Sequence, residues 1–272
     1  MGLISNKRLI EAWQKELLAG AKAAGTIKVR LSHVRLLLAA VDKPAGMVRR
    51  GDIVEYLAAG DWSLETRRSM NSSFRQFWQW GLSEGHLTIN ATARLPRVAR
   101  PRPIPTPASD YHVMKAMREA PEWVSFAVEI MATCGLRRAE VATLRSSDVR
   151  PVGKGWVLTV RNGKGSKSRA IPCPPHIARR IYNAGGWVFK GGQNGHVSAG
   201  WLGKSVSRAF PDGLTAHKIR HRYASVAYEA TRDLRAVQEL LGHASVATTQ
   251  VYVAVNAADL VETTAAAWKI AG

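Results

Sequence analysis

The stretch "LPRVARPRPIPTPAS", Leu95 to Ser109, constrains the fold of this chain more than any other feature. Its five prolines and three arginines leave few backbone donors, and each proline pushes the residue before it out of the helical region, so the segment reads as a stiff extended connector. It divides the 272 residues into two parts, each long enough to bury a core. The boundaries expected are a helical domain over 1–97, a linker over 98–108 and a second domain over 109–272.

Before the connector the apolar residues recur at helical spacing. Leu3, Ile4, Ile10, Trp13, Leu17 and Leu18 make one stripe that Gly20 stops. Val29, Val34, Leu37 and Leu38 make a second, and Ile53, Val54 and Leu57 a third. Ser63 is placed to cap a longer helix with Met70, Phe74, Phe77, Trp78 and Gly81 on one face, closed by Gly85. Arg67, Arg68, Asn71 and Arg75 fall on the other face, as a solvated surface or as phosphate contacts. After the connector, helical patterns run from about Asp110. The period then changes to two in "WVLTVRNGKGSKSRAIP", two short β-runs around a Gly-rich turn, and returns to helical after Pro175. The expected fold is mainly α: an all-helical first domain and a mostly helical second domain with a small antiparallel β-sheet.

Charge narrows the partner. Lys and Arg number 39 against 20 Asp and Glu, a formal net charge of +19. The excess is shared, with 17 basic against 8 acidic residues before Pro107 and 22 against 12 from there on. Neither half is a basic tail, so both are expected to face one polyanion, as in a protein that encloses DNA or RNA between two lobes. Cys134 and Cys173 are too few for a disulfide framework, and neither C-x-x-C nor H-E-x-x-H occurs, so no metal and no other cofactor is expected. No apolar run is long enough to span a bilayer and the first residues carry no signal-peptide core, which implies no membrane partner and a cytoplasmic location.

Four short motifs hold the candidate chemistry. "HKIR" places His217 and Arg220 three apart, on one face of a helix, where both can approach one phosphate. "GLRRAE" sets Glu140 three residues after Arg137, at the spacing that holds a guanidinium in one rotamer, although a plain surface ion pair has the same pattern. "NGKGSK" offers Lys164 between two glycines at the hairpin tip, with Lys167 as a second candidate. "LLGHASVATTQVYV" carries His243 and, nine residues on, Tyr252.

Taken in order, these motifs resemble the active site of the tyrosine recombinase, or phage integrase, family, from about Asp110 to the end of the chain. Arg137, Lys164, His217, Arg220, His243 and Tyr252 each fall on a position of that family's motif, the Gly-Leu-Arg register favouring Arg137 over Arg138. Lys218 departs from the pattern, since family members often carry an acidic residue there. The resemblance implies a DNA breaking-rejoining fold in which Tyr252 forms a 3′-phosphotyrosyl bond, with no metal and no high-energy cofactor. It further implies that Arg137 and Arg220 hold the phosphate, His217 takes the phenolic proton, Lys164 protonates the 5′ oxygen and His243 hydrogen-bonds the scissile phosphate. The first domain then resembles the family's core-binding domain, and the onset of helical pattern close to Met1 suggests a minimal two-domain member lacking an arm-binding domain. Implied partners are double-stranded DNA core or attachment sites, a homotetramer on that DNA, and an excisionase or host DNA-bending protein, in a bacterial host's nucleoid. The role expected first is integration and excision of a phage or mobile element, which the basic, Arg-rich composition suits; the alternative is Xer-like resolution of chromosome or plasmid dimers, which shares the same active site. A non-cleaving DNA-binding protein and a type IB topoisomerase are the readings from other classes.

Overall fold

In a computed structural model, residues 4–99, 107–161, 168–211 and 214–242 are described. The chain divides into two compact units, Met1–Arg102 and Pro103–Gly272.

The first unit packs four α-helices: α1 (Asn6–Ala19), α2 (Ala24–Val41), α3 (Arg50–Ala59) and α4 (Leu64–Ser83). Ser5 caps α1 through its Oγ, and Gly20 ends it. The face that α1 buries is Leu9, Ile10, Trp13 and Leu17, while Leu18 stays exposed. In α2 the buried stripe is Ile27, Leu31, Val34, Leu37 and Leu38, and Val29 faces out. Leu18 and Val29 lie at the margins of their stripes, on the side that the neighbouring helices do not cover. Ser63 caps α4, Gly85 follows its end at φ +68°, and Met70, Phe74, Phe77, Trp78 and Gly81 are all buried. Phe77 sits at the centre, edge-on to Trp13 at 5.2 Å and to Trp78 at 5.1 Å.

The polar face of α4 serves the domain itself. Arg75 donates to the Leu95 carbonyl (2.8 Å), Asn71 to that of Pro96 (3.3 Å) and Arg67 to that of Gly60 (3.4 Å). Of the four polar residues on this face, only Arg68, paired with Glu65 at 2.7 Å, remains on the surface without a backbone anchor.

The second unit is built on α6 (Glu122–Cys134), which is apolar on nearly every side and correspondingly buried. Around it lie α5 (Asp110–Glu119), α9 (Ala199–Arg208) and α10 (Ala216–Thr231). The remaining helices are the short α7 (Arg138–Ala142), α8 (Pro175–Tyr182) and α11 (Leu234–Leu241). The sheet has three antiparallel strands in the order β1 (Val149–Val152), β2 (Gly155–Val160) and β3 (Arg169–Cys173). The hairpin β2–β3 pairs Trp156 with Cys173 and Val160 with Arg169. Strand β1 is an addition to that hairpin; Pro151 interrupts its apolar pattern and is tolerated because β1 is an edge. Cys134 and Cys173 are buried free thiols in this core.

Truncating Phe77 to alanine is expected to destabilise the first unit by about 3–5 kcal/mol, the range for emptying a buried aromatic site. Urea denaturation followed by Trp fluorescence measures it.

Candidate active site

Two glycines shape the site before any charged group enters. Gly135 ends α6 and Gly242 ends α11, each at φ +62°, the left-handed conformation that closes a helix and turns its last carbonyls outward. Neither position has room for a side chain: a Cβ on Gly135 would come within 2.4 Å of the Tyr223 ring, and one on Gly242 within 2.9 Å of Arg169 Cδ. The exposed carbonyls of two helix C-termini, each at the negative end of its helix dipole, then attract cations.

Three arginines occupy that space. Arg220, on α10, is buried to 1% exposure; its guanidinium donates to the carbonyls of Gly135 and Leu241 and lies 3.8 Å from Glu140 Oε2. Arg137, at the N-terminus of α7, pairs with Glu140 Oε1 at 2.9 Å and donates to the Gly242 carbonyl at 3.4 Å. Arg169, the first residue of β3, grips both oxygens of Glu140 at 2.9 Å and donates through Nε to the Leu240 carbonyl at 2.8 Å. Arg138 instead packs against Gly203 of α9, where a Cβ would stand 3.1 Å from its Cδ, so the register beginning at Arg137 is the one that reaches Glu140.

Glu140 is therefore a hub. Its side chain is only 6% exposed, and it also accepts the backbone N–H of Arg137 at 2.8 Å, a cap on α7. Burial by itself would raise its pKa. The Arg169 hydrogen bonds and charge, then the Arg137 N–H and the Arg220 charge, outweigh burial and bring the pKa down to about 2.

His217 lies one helical turn before Arg220 on α10. Desolvation by the surrounding protein, reinforced by the charges of Arg220, Arg137 and Arg138, lowers its pKa, so the imidazole is neutral near pH 7 and able to accept a proton. The His221 ring lies edge-on at 4.7 Å, and burial together with His217, Arg220 and Lys218 brings its pKa down to about 4. The Lys218 carbonyl accepts the Ala108 N–H at 3.1 Å, tying the chain ahead of α5 to α10.

Of the six residues singled out from sequence, the structure thus brings Arg137, His217 and Arg220 together. Lys164, His243 and Tyr252 lie outside the described residues, although β3 starts close after Lys164 and Gly242, the cap of α11, immediately precedes His243. Arg169 was not among those six. Its partners Glu140 and Leu240 are 29 and 71 positions away, and a lone arginine opening a strand gives no local sign of them. Among the described residues no group of three or more potential metal ligands clusters, and no helix is long and apolar enough to cross a membrane.

In the first unit, a groove of about 510 Å³ between α2 and α4 is lined by Thr26, Arg30, Arg68, Ser69 and Ser72 among others. Arg30 Nη1 is buried there with no hydrogen-bond partner.

Comparison with known proteins bears on the family and the fold. The family model described as the phage integrase family matches residues 111–259. A tyrosine recombinase XerC from Methylobacterium nodulans is 33% identical over 272 residues, covering 89% of this chain and 84% of the relative. Two solved structures share the fold at 19% identity. A lambda integrase dimer bound to a COC' core site has a TM-score of 0.73 and covers 92% of this chain and 77% of its own. XerH bound to a palindromic difH substrate, in a post-cleavage complex, has a TM-score of 0.67 over 90% and 79%.

Replacing Glu140 by glutamine removes a buried negative charge that faces three guanidiniums, those of Arg169 and Arg220 nearly buried, and is expected to cost about 3–5 kcal/mol of stability in urea denaturation. The carboxyl pKa in the folded protein, about 2, lies below its ordinary 4.5. The stability it contributes is thus fully present above about pH 4.5 and is lost as the pH falls toward 2, on the order of 3 kcal/mol over that window. Glu140→Gln removes this part of the acid sensitivity.

Proposed function

This chain belongs to the phage integrase family and is a site-specific tyrosine recombinase, and from that premise we propose that it cuts DNA with Tyr252 as nucleophile in a site ordered around Glu140. The observation that carries the reading is the convergence of Arg137, Arg220 and His217, from α7 and α10, beside the helix end that leads into "GHASVATTQVY".

In this mechanism Arg137 and Arg220 bind the non-bridging oxygens of the scissile phosphate and offset the negative charge that builds up at phosphorus. His217, neutral because its pKa is lowered, takes the phenolic proton as the Tyr252 oxygen bonds to phosphorus. The P–O5′ bond breaks, and the leaving 5′ oxygen takes a proton from Lys164. His243 hydrogen-bonds the phosphate. The bond energy is kept in the phosphotyrosine, so the 5′ hydroxyl of a partner strand can reverse the step without ATP.

The role we infer is Xer-like, the resolution of chromosome or plasmid dimers, supported by relatives that bear the name XerC across most of their length. Integration of a phage or mobile element is the second reading, favoured by the net charge of +19. The solved neighbours hold DNA as a lambda integrase dimer on its core site and as XerH on a palindromic substrate. We carry that over to a duplex with inverted half-sites, four copies of this chain joining two such sites. The α2–α4 groove then contributes to the grip on that duplex, with Arg30 and Arg68 facing phosphates.

Duplexes selected by the protein from a random-sequence pool supply a substrate. Nicked near the cleavage point and incubated in EDTA, they are expected to trap a denaturant-resistant adduct with the wild-type protein and none with Tyr252→Phe; an adduct surviving in that variant eliminates Tyr252 as nucleophile. Mapping the selected site on the host genome separates the roles, since a dimer resolvase binds a chromosomal locus and an integrase the junctions of an inserted element.

The double variant Arg30→Ala/Arg68→Ala is expected to bind the selected duplex about 10-fold or more weakly at low salt and to lower the slope of log affinity against log salt by about 2, one for each lost phosphate contact. Fluorescence anisotropy at several salt concentrations measures both, and an unchanged slope removes the groove from the DNA-binding face.

A further inference from the structure

Arg169 has no place in the phosphate contacts proposed above. Its fork is turned wholly inward, with Nη1 and Nη2 on the two oxygens of Glu140 and Nε on the Leu240 carbonyl, and its side chain is 9% exposed. It joins three pieces of chain that carry the proposed chemistry: the strand following the hairpin of Lys164, the carboxylate that orients Arg137, and the last turn of α11, which leads to His243 and Tyr252.

We propose that Arg169 is a positioning residue for strand cleavage, locking Glu140 and the end of α11 in the geometry the site needs. The proposal rests on the recombinase reading above. Three features of the surroundings fit this role. The two-pronged contact fixes the carboxylate plane, which a single ammonium does not do. Gly242 leaves space for the Arg169 side chain at a point where a Cβ would stand 2.9 Å from its Cδ, so the helix cap and the arginine require one another. The same three donors also keep a buried carboxylate ionised. Among the described residues, the charged groups that face Glu140 are Arg137 from α7, Arg169 from β3 and Arg220 from α10, while α11 adds only carbonyl groups to this cluster. Removing Arg169 leaves burial in place and deletes the largest stabilising influence on the charged form, so the Glu140 pKa rises.

The test compares wild type, Arg169→Met and Arg169→Lys on the selected nicked duplex, reading equilibrium binding and the single-turnover rate of adduct formation across pH. Expected for Arg169→Met is binding within about twofold of wild type and an adduct rate lowered about 100-fold near neutral pH, the scale of a small misplacement of reacting groups. Its rate profile should gain a further acid limb from Glu140, beyond the His217 limb that both proteins share. Arg169→Lys should recover about a tenth of the wild-type rate, since one ammonium replaces one prong of the fork. An Arg169→Met rate and pH profile equal to wild type overturn the proposal, as does a loss of rate matched by an equal loss of binding, which marks a merely structural residue. If Arg169→Met does not fold, Arg169→Lys decides alone: wild-type rate and profile overturn the proposal, and a slowed rate with intact binding supports it. Failure of the wild-type protein itself to form an adduct sinks the recombinase reading instead.

Discussion

The second unit depends on one buried carboxylate facing three guanidiniums. Taking charges out of water costs several kcal/mol each, and a buried ion pair offsets that only when its geometry is good and the leftover donors find acceptors. Here the donors left over from Glu140 go to the carbonyls of Gly135, Leu240, Leu241 and Gly242, all at the ends of α6 and α11. Helix ends leave those carbonyls without partners in their own helix, so one arrangement satisfies two deficits at once. Four of the elements that meet here, α6, α7, α10 and α11, are brought into register by side chain-to-backbone bonds rather than by apolar packing alone.

That arrangement has a functional side. A phosphate-binding guanidinium must be held still before the substrate arrives, because rigidity obtained in advance is not lost from the binding step. Arg220 and Arg137 are held by the protein on the side that Glu140 and the helix ends occupy. The site is electropositive for the same reason: one carboxylate is shared among three arginines, and the pKa of the neighbouring His217 is lowered by desolvation first and then by the charges of Arg220, Arg137 and Arg138. One cluster thus prepares both the electrostatic stabilisation and the base.

Much of the helical architecture was legible locally. Ser63 as a cap, the apolar face from Met70 to Gly81 and the hairpin around the Gly-rich turn follow from spacing and turn chemistry, and each is present. The misreadings fall at stripe edges. Leu18 and Val29 are apolar and correctly spaced, yet they face solvent, while Leu9 and Leu31 are buried in their helices. Arg67, Asn71 and Arg75 looked like a surface available to a ligand, but loops that return to α4 claim them. Strand β1 escaped notice because a proline interrupts a run of only four residues.

By itself the sequence determined which residue types are available and their order: two basic halves, Gly-Leu-Arg, H-x-x-R, and Gly-His followed by tyrosine. Those are local patterns, and the pairing of Arg137 with Glu140 could be read from them because it spans a single helical turn. Only the tertiary structure decided that Glu140 also belongs to Arg169 and Arg220, and that the glycines of "CGLRR" and "LLGH" are helix caps whose carbonyls receive arginines. The physical reason is range. Backbone propensity and periodicity act over a few residues, whereas a buried charge is satisfied by whatever the folded chain places within about 3 Å of it, regardless of separation along the sequence.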